Sequence, residues 1–401
     1  MRTLFLILLV VLVGVSCTNH SNVSVNHPSC ISVPDAMNSD VHYLSEFIDS
    51  ARIVRLETND SCLLREIELA EVHNGKIFVS WSRADHIYCF DANGKFLNTI
   101  ASRGGGPKEC VEISGFTVNK DNGYIYVTSR ADQKIKIYKD NGDFVKALSV
   151  DYAADVISCH QDKIYLFVEG NSMYPCEMQV YDSNGKYLGG HYPIDKRYSS
   201  ETIVRKTNSD LYVLPLGKNR DTIYTVKDNG LEMACFTNWG DYTMNESTKD
   251  KMFVPDYKGG LDSKKKAELQ LSLECVFGIE DFLMFDKYVY LSYICRLQPR
   301  HCFWDKENNV VVNTNDFCDD VAFAAGLSDI VGQTDTEMIA AYNGSRALTK
   351  RKFVARDKWQ EKYGKNIPAD KLEDGLQRLE TLFKDVQEDD NPALVFYKIK
   401  Q

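Results

Sequence analysis

The chain has no run of basic residues interleaved with aromatics, and its formal charge is −10. A net negative surface has no general attraction for a phosphate backbone, so nucleic-acid binding is not expected. Histidine is scarce: 8 in 401 residues. His20 and His27 fall in a polar N-terminal stretch, and His42, His73, His86, His160, His191 and His301 are dispersed. There is no Gly-x-Ser-x-Gly segment, so the common hydrolase signature is missing. No two cysteines stand at Cys-x-x-Cys spacing, which removes the usual zinc and thioredoxin-type signatures. The segment Gly104-Gly-Gly-Pro107 lacks the Gly-Lys-Ser/Thr ending and the following helix of a phosphate loop. The Asp/Asn-Gly turns lack the further acidic ligands and distal Glu of an EF-hand.

What remains is a globular composition. Apolar residues make up 44% and charged residues 26% of the chain, enough for a sizeable core. The 22 Tyr and 19 Phe favour pleated, half-buried strands. A chain of this length exceeds the usual single domain, but all-β folds run well past that size as one unit.

The N-terminus reads as a processing signal. Arg2 is followed by an apolar run from Leu4 to Val13, too short to span a bilayer. It leads into Val13-Gly-Val-Ser-Cys17, which resembles a bacterial lipobox with Cys17 as the lipidated residue. Residues 1–16 are thus expected to be a signal peptide. Residues 17–40, polar and unpatterned at their start, are expected to be a flexible tether to the membrane. Of the remaining 11 cysteines, many sit inside apolar runs as small hydrophobes, with room for one or two disulfides.

Residues 41–401 are organised by a repeat. The turns Asp91-Ala-Asn-Gly94, Asp140-Asn-Gly142, Asp182-Ser-Asn-Gly185 and Asp228-Asn-Gly230 recur at spacings of 48, 43 and 45 residues. Asn-Gly between alternating strands is a strong hairpin signal, because both residues tolerate positive φ. Strands precede and follow each turn, as in Lys76–Ser80, His86–Phe90 and Phe96–Ser102. Four antiparallel strands at this period are the pattern of a β-propeller blade. A fifth unit covers 282–312, and a degenerate sixth is read from Val321-Ala-Phe-Ala-Ala and Glu337–Tyr342. Helical insertions are expected at about 241–273 and 345–390; Leu372, Leu376, Leu379 and Phe383 share one helix face, expected to pack on the propeller. The alternating strands 51–58 and 393–400 are expected to pair and close the ring, since a closed ring has no free edge.

The lipobox, Arg55-Leu-Glu-Thr58, Phe90-Asp-x-x-Gly-Lys95, Gly104-Gly-Gly-Pro-Lys-Glu109 and Asn391-Pro-x-Leu-Val-x-Tyr-Lys398 together carry a resemblance. The chain resembles the six-bladed β-propeller lipoproteins abundant in Bacteroidetes, related in shape to NHL-repeat propellers. Where the family usually has Gly-Arg-Gly-Pro-Gly-Glu-Tyr, this chain has Gly105, Lys108 and Cys110 at the Arg, third Gly and Tyr positions. The resemblance implies an all-β fold: a six-bladed propeller of four-stranded antiparallel blades, lipid-anchored at the outer membrane or in the periplasm.

Propellers take ligands at the channel mouth on loops from several blades. Arg83, Arg103, Glu109, Arg130 and Glu169, at loops and crossovers, and His160, near an innermost strand, are the candidate binding residues. The expected role is binding of an envelope protein partner or a small carbohydrate or peptide ligand, with no cofactor. The alternative is a metal-dependent enzyme of lyase or lactonase type, the one reading that requires a channel metal.

Overall fold

β-branched and aromatic runs flanking positive-φ turns fold here into six antiparallel sheets, arranged as the blades of a propeller. The computed structural model describes residues 29–81, 84–152, 154–168, 174–198, 201–217, 219–324, 326–327, 329–342, 367–387 and 389–401. The expected signal peptide, Cys17 and the first part of the expected helical insertion at about 345–390, up to residue 366, lie outside these residues.

Strands β1 (Ser29–Ser32), β2 (His42–Tyr43) and β3 (Ile48–Arg55) come first. Blade 1 is β4 (Leu69–His73), β5 (Lys76–Ser80), β6 (His86–Asp91) and β7 (Phe96–Ser102). Blade 2 is β8 (Gly115–Val118), β9 (Ile125–Ser129), β10 (Lys134–Tyr138) and β11 (Phe144–Ser149). Blade 3 is β12 (Val156–His160), β13 (Lys163–Phe167), β14 (Cys176–Asp182) and β15 (Tyr187–Pro193). Blade 4 is β16 (Thr202–Lys206), β17 (Leu211–Pro215), β18 (Thr222–Lys227) and β19 (Gly230–Asn238). Helices α1 (Glu246–Phe253) and α2 (Ser263–Ser272) occupy the crossover to blade 5, as the sequence led us to expect. Blade 5 is β20 (Val276–Met284), β21 (Tyr288–Cys295), β22 (Gln298–Asp305) and β23 (Val310–Thr314). After the short β24 (Phe317–Cys318), blade 6 is β25 (Ile330–Gln333), β26 (Glu337–Tyr342) and β27 (Ala393–Ile399), with β3 as its fourth strand. Helix α3 (Ala369–Leu382) stands between β26 and β27. In every blade the first strand is innermost.

The ring closes where the alternation pointed. β3 runs antiparallel to β27, from Ala393 opposite Arg55 to Ile399 opposite Ile48. Two expectations need correction. The tether does not extend to residue 40: β1 adds in parallel to β19, with Ser29 opposite Cys235, and Ile31, Val33 and Ala36 are buried beside Trp239. The segment then crosses the rim of blade 5, where Arg300 Nη1 donates to the Asn38 carbonyl at 2.7 Å. A few apolar residues in a polar stretch suffice, because the outer edge of β19 offers unpaired backbone groups. Residues 321–324, read as part of the sixth unit, are not a blade strand; blade 6 begins with β25. Residues 319–324 instead make a turn around buried Asp319, whose carboxylate accepts the N–H groups of Val321, Ala322 and Ala324 and the Tyr397 hydroxyl. Burial raises the pKa of Asp319.

Apolar clusters fill the spaces between blades; Phe78 and Ile87 of blade 1, for example, meet Phe116 and Val127 of blade 2. Among the described residues the cysteines from Cys30 to Cys302 form no disulfide, and burial pushes thiols such as Cys89 and Cys302 up to about 12. They are packing residues. Leu372, Leu376 and Leu379 of α3, with Phe383, are buried against the propeller on the expected face. The fit there is close: a Cβ on Gly375 would lie 2.2 Å from the Phe323 ring.

The repeated turn glycines join blades as well as turning the chain. A Cβ on Gly94 would lie 2.0 Å from the Arg55 carbonyl oxygen of blade 6. One on Gly142 would lie 2.7 Å from the Thr99 oxygen of blade 1, one on Gly185 3.1 Å from Leu148 of blade 2, and one on Gly230 2.9 Å from His191 of blade 3. Each outer hairpin thus abuts the outer strand of the preceding blade. Ion pairs reinforce two of these joints: Lys76–Asp140 at 2.6 Å and Lys163–Asp228 at 2.7 Å.

Candidate functional site

The six innermost strands begin at one face of the ring, called upper here, and end in tight turns at the other, the lower face. Between them runs a cavity of about 400 Å³ lined by all six blades, including Glu71 of β4, Ser158 of β12, Arg205 and Lys206 of β16, Asp281 of β20 and Gln333 of β25. Charged residues interrupt these strands because the innermost strand of a blade faces the channel rather than a neighbouring sheet.

The bonds that span the channel gather at its lower end. Lys206 Nζ, from blade 4, donates to Glu71 Oε2 of blade 1 at 3.1 Å. The same ammonium donates to Thr117 Oγ1 at 2.8 Å and to the Val118 carbonyl at 2.7 Å, both in blade 2. Glu71 Oε2 also accepts the Val118 N–H at 3.0 Å. At the same end, Lys120 Nζ donates to Asn208 Oδ1 at 2.8 Å, and the Asn208 N–H donates to Asp335 Oδ1 at 2.7 Å, linking blades 2, 4 and 6. Gln333 exchanges two hydrogen bonds with the Met284 backbone, at 2.9 and 3.2 Å, tying blade 6 to blade 5. The lower end is therefore cross-braced.

Ion pairs higher in the channel join neighbouring blades. Arg205 Nη2 meets both Asp281 oxygens, at 2.7 and 2.9 Å, and its Nε donates to the Phe282 carbonyl at 3.1 Å. Arg220 Nη1 pairs with Glu280 Oε1 at 3.0 Å. Burial raises the pKa of Glu280; Arg220 opposes that rise and Glu201 adds to it. Arg220 reaches this position by packing over Gly278 (φ 96°) and under the Phe253 ring of α1, so the helical insertion flanks the upper mouth beside blades 4 and 5.

Three of the residues singled out by sequence lie at the upper face. Arg130 pairs with Asp155 at 2.7 Å, and Asp155 lines the channel where β12 begins. Arg103 is exposed, 4.0 Å from Asp85, and borders a separate depression with Val111 and Ile113. The Glu109 carboxylate accepts the Gly106 N–H at 2.8 Å, and its backbone carbonyl accepts from buried Lys136, so this residue braces the glycine-rich crossover between β7 and β8. His160 is not with them. It ends β12 at the lower face, where burial disfavours its protonated form. Arg83 and Glu169 lie outside the described residues. Sequence reasoning missed Glu71, Ser158, Arg205, Lys206, Glu280 and Asp281. Their signal was available: charged or hydroxyl residues inside the first strand of a repeat unit, as in Thr202-Ile-Val-Arg-Lys206.

Among the described residues no group of three or more His, Cys, Asp or Glu is placed to hold a metal ion. Nor, among them, is any helix long and apolar enough to cross a membrane.

Comparison with known proteins follows the fold. The family described as a domain of unknown function, DUF4934, matches residues 28–398. No curated protein matches the chain. A solved structure of a protein described as exported, from Bacteroides fragilis, is similar at a TM-score of 0.72 with 17% identity, covering 93% of this chain and 100% of that one. A DUF4221-family member from Bacteroides vulgatus aligns at a TM-score of 0.45 with 11% identity, covering 88% of this chain and 98% of that one.

Proposed function

The chain belongs to the DUF4934 family, and from that premise and the shape of its channel we propose that it is an exported, envelope-held propeller that binds a small polar ligand, a carbohydrate or peptide, through the upper mouth. The observation that carries this reading is the asymmetry of the channel. A cavity of about 400 Å³, within the range of ligand sites, is cross-braced at its lower end by Glu71, Lys206, Lys120 and Asn208. Such a blind, polar funnel suits a ligand that enters from above and is held by groups from several blades. The charged pairs along its wall offer donors and acceptors already fixed in place, which lowers the ordering cost of binding.

Export is supported by the description of the Bacteroides fragilis relative and by the Met1–Cys17 segment. In this reading Cys17 carries the lipid, and two or more acyl chains hold the protein stably at the membrane. Replacing Cys17 by alanine is expected to move the protein from the membrane fraction to the soluble fraction; unchanged partitioning would refute the anchor.

The binding proposal is tested by screening saccharides and short peptides against the wild type and Ser158→Trp. Ser158 is buried in the channel wall, and an indole there fills the lumen. Binding should disappear in Ser158→Trp while the melting temperature stays near that of the wild type. A ligand that binds both proteins equally well sits outside the channel, and the reading fails.

A further inference from the structure

Building on the channel reading above, we infer that the ligand carries a terminal carboxylate, received at the closed end of the channel by the Lys120 ammonium. Three cationic side chains line the cavity: Lys120, Arg205 and Lys206. Arg205 is held by both oxygens of Asp281, and Lys206 by Glu71, Thr117 and the Val118 carbonyl. Lys120 differs. Its Nζ donates to a neutral partner, Asn208 Oδ1, at 2.8 Å, and among the described residues no carboxylate stands within ion-pair distance of it. Asp335 of blade 6 acts on it beyond ion-pair contact and accepts the Asn208 N–H. An ammonium has three donors, so two remain for a ligand.

The surroundings make an anion the favoured occupant. Burial, together with the Lys206 charge, lowers the pKa of Lys120, opposed by Asp335 and Glu71. His73, at the lower end of β4, responds to the same field: burial, Lys120 and Lys206 all disfavour its proton, against Asp140 and Glu71. A half-buried cation with no carboxylate in direct contact is stabilised by a ligand carboxylate that makes that contact. The body of such a ligand would extend upward past the hydroxyls of Ser158 and Thr202, which also line the cavity. Two sources present this chemistry: a saccharide bearing a uronic acid, and the free C-terminus of a peptide.

The test uses the full mature chain and two matched pairs of probes: digalacturonate against galactobiose, and trialanine against its C-terminal amide. Affinities are measured calorimetrically for the wild type, Lys120→Gln and Lys120→Arg, with melting temperatures to show that each variant is folded. One acid is expected to bind the wild type about tenfold more tightly than its neutral counterpart, the scale of a single charge-assisted contact. Lys120→Gln should abolish that preference, and Lys120→Arg should retain most of it. Which acid shows the preference identifies the source. Equal binding of acid and neutral probes, failure of both acids to bind, or a preference that survives Lys120→Gln overturns the carboxylate assignment. Probes that bind the channel without preference leave the channel reading standing; probes that bind Ser158→Trp as well as the wild type overturn that reading too.

Discussion

Replacing Glu71 by alanine is expected to lower the unfolding free energy by about 3 kcal/mol, the scale of removing one partner from a buried ion pair. The carboxylate meets two demands at once. It neutralises Lys206 across the channel and accepts the Val118 N–H. Without it, Lys206 keeps Thr117 and the Val118 carbonyl but loses its counter-charge, and the Val118 N–H is left without that acceptor. The cost is therefore mainly that of stranding polar groups, and this predicts the behaviour of the double variant. Glu71→Leu combined with Lys206→Met removes both charges and should recover most of the lost stability, since a buried pair is often worth little against an apolar replacement. Urea unfolding of the two single variants and the double variant measures this coupling. A neutral Glu71→Ala would mean that water reaches the pair and that the lower end of the channel is open.

The second large effect concerns the joints between blades. Gly75 and Gly94 both have positive φ, 73° and 85°, but a Cβ on Gly75 meets nothing within 4 Å, whereas one on Gly94 lies 2.0 Å from the Arg55 carbonyl oxygen. Gly75→Ala should cost about 1 kcal/mol, the price of a left-handed residue. Gly94→Ala should cost about 3 kcal/mol, because the hairpin of blade 1 must also move away from the strand that closes the ring. Thermal or denaturant unfolding of the two variants compares them. Equal losses would show that these glycines serve only their own turns.

This comparison shows how far the sequence could be read. The Asn-Gly period announced blades because turn chemistry is local: positive φ at Gly94, Gly142, Gly185 and Gly230 is a property of four consecutive residues. That the same glycines touch the preceding blade is not local, and no spacing reports it. The closing strand was legible because β27 alternates and a ring needs its edges paired. β1 was not, because its pairing with β19 joins residues about 200 apart through backbone groups that any sequence supplies. Val321-Ala-Phe-Ala-Ala was read into the sixth unit because it has strand composition, while buried Asp319 holds residues 321–324 as a turn.

The candidate site was legible only in part. Loop charges such as Arg103 and Arg130 draw the eye, and these two do lie at the upper face. The channel wall, by contrast, is built from residues inside strands. Glu71 and Lys206 become partners only because blades 1 and 4 stand on opposite sides of a six-membered ring. His160 looked equivalent to the arginines in sequence, yet it ends an innermost strand, which stops at the lower face, whereas Arg103 and Arg130 follow β7 and β9, which stop at the upper face.

The central claim is that the channel is a ligand site open above and braced below. Its most direct test is a crystal structure of the protein with the tightest ligand from the saccharide and peptide screen. The account predicts ligand density within the channel, between the six innermost strands, with one end at Lys120. Density confined to the lower face, the outer rim or the depression beside Arg103, with the channel unchanged, would contradict it.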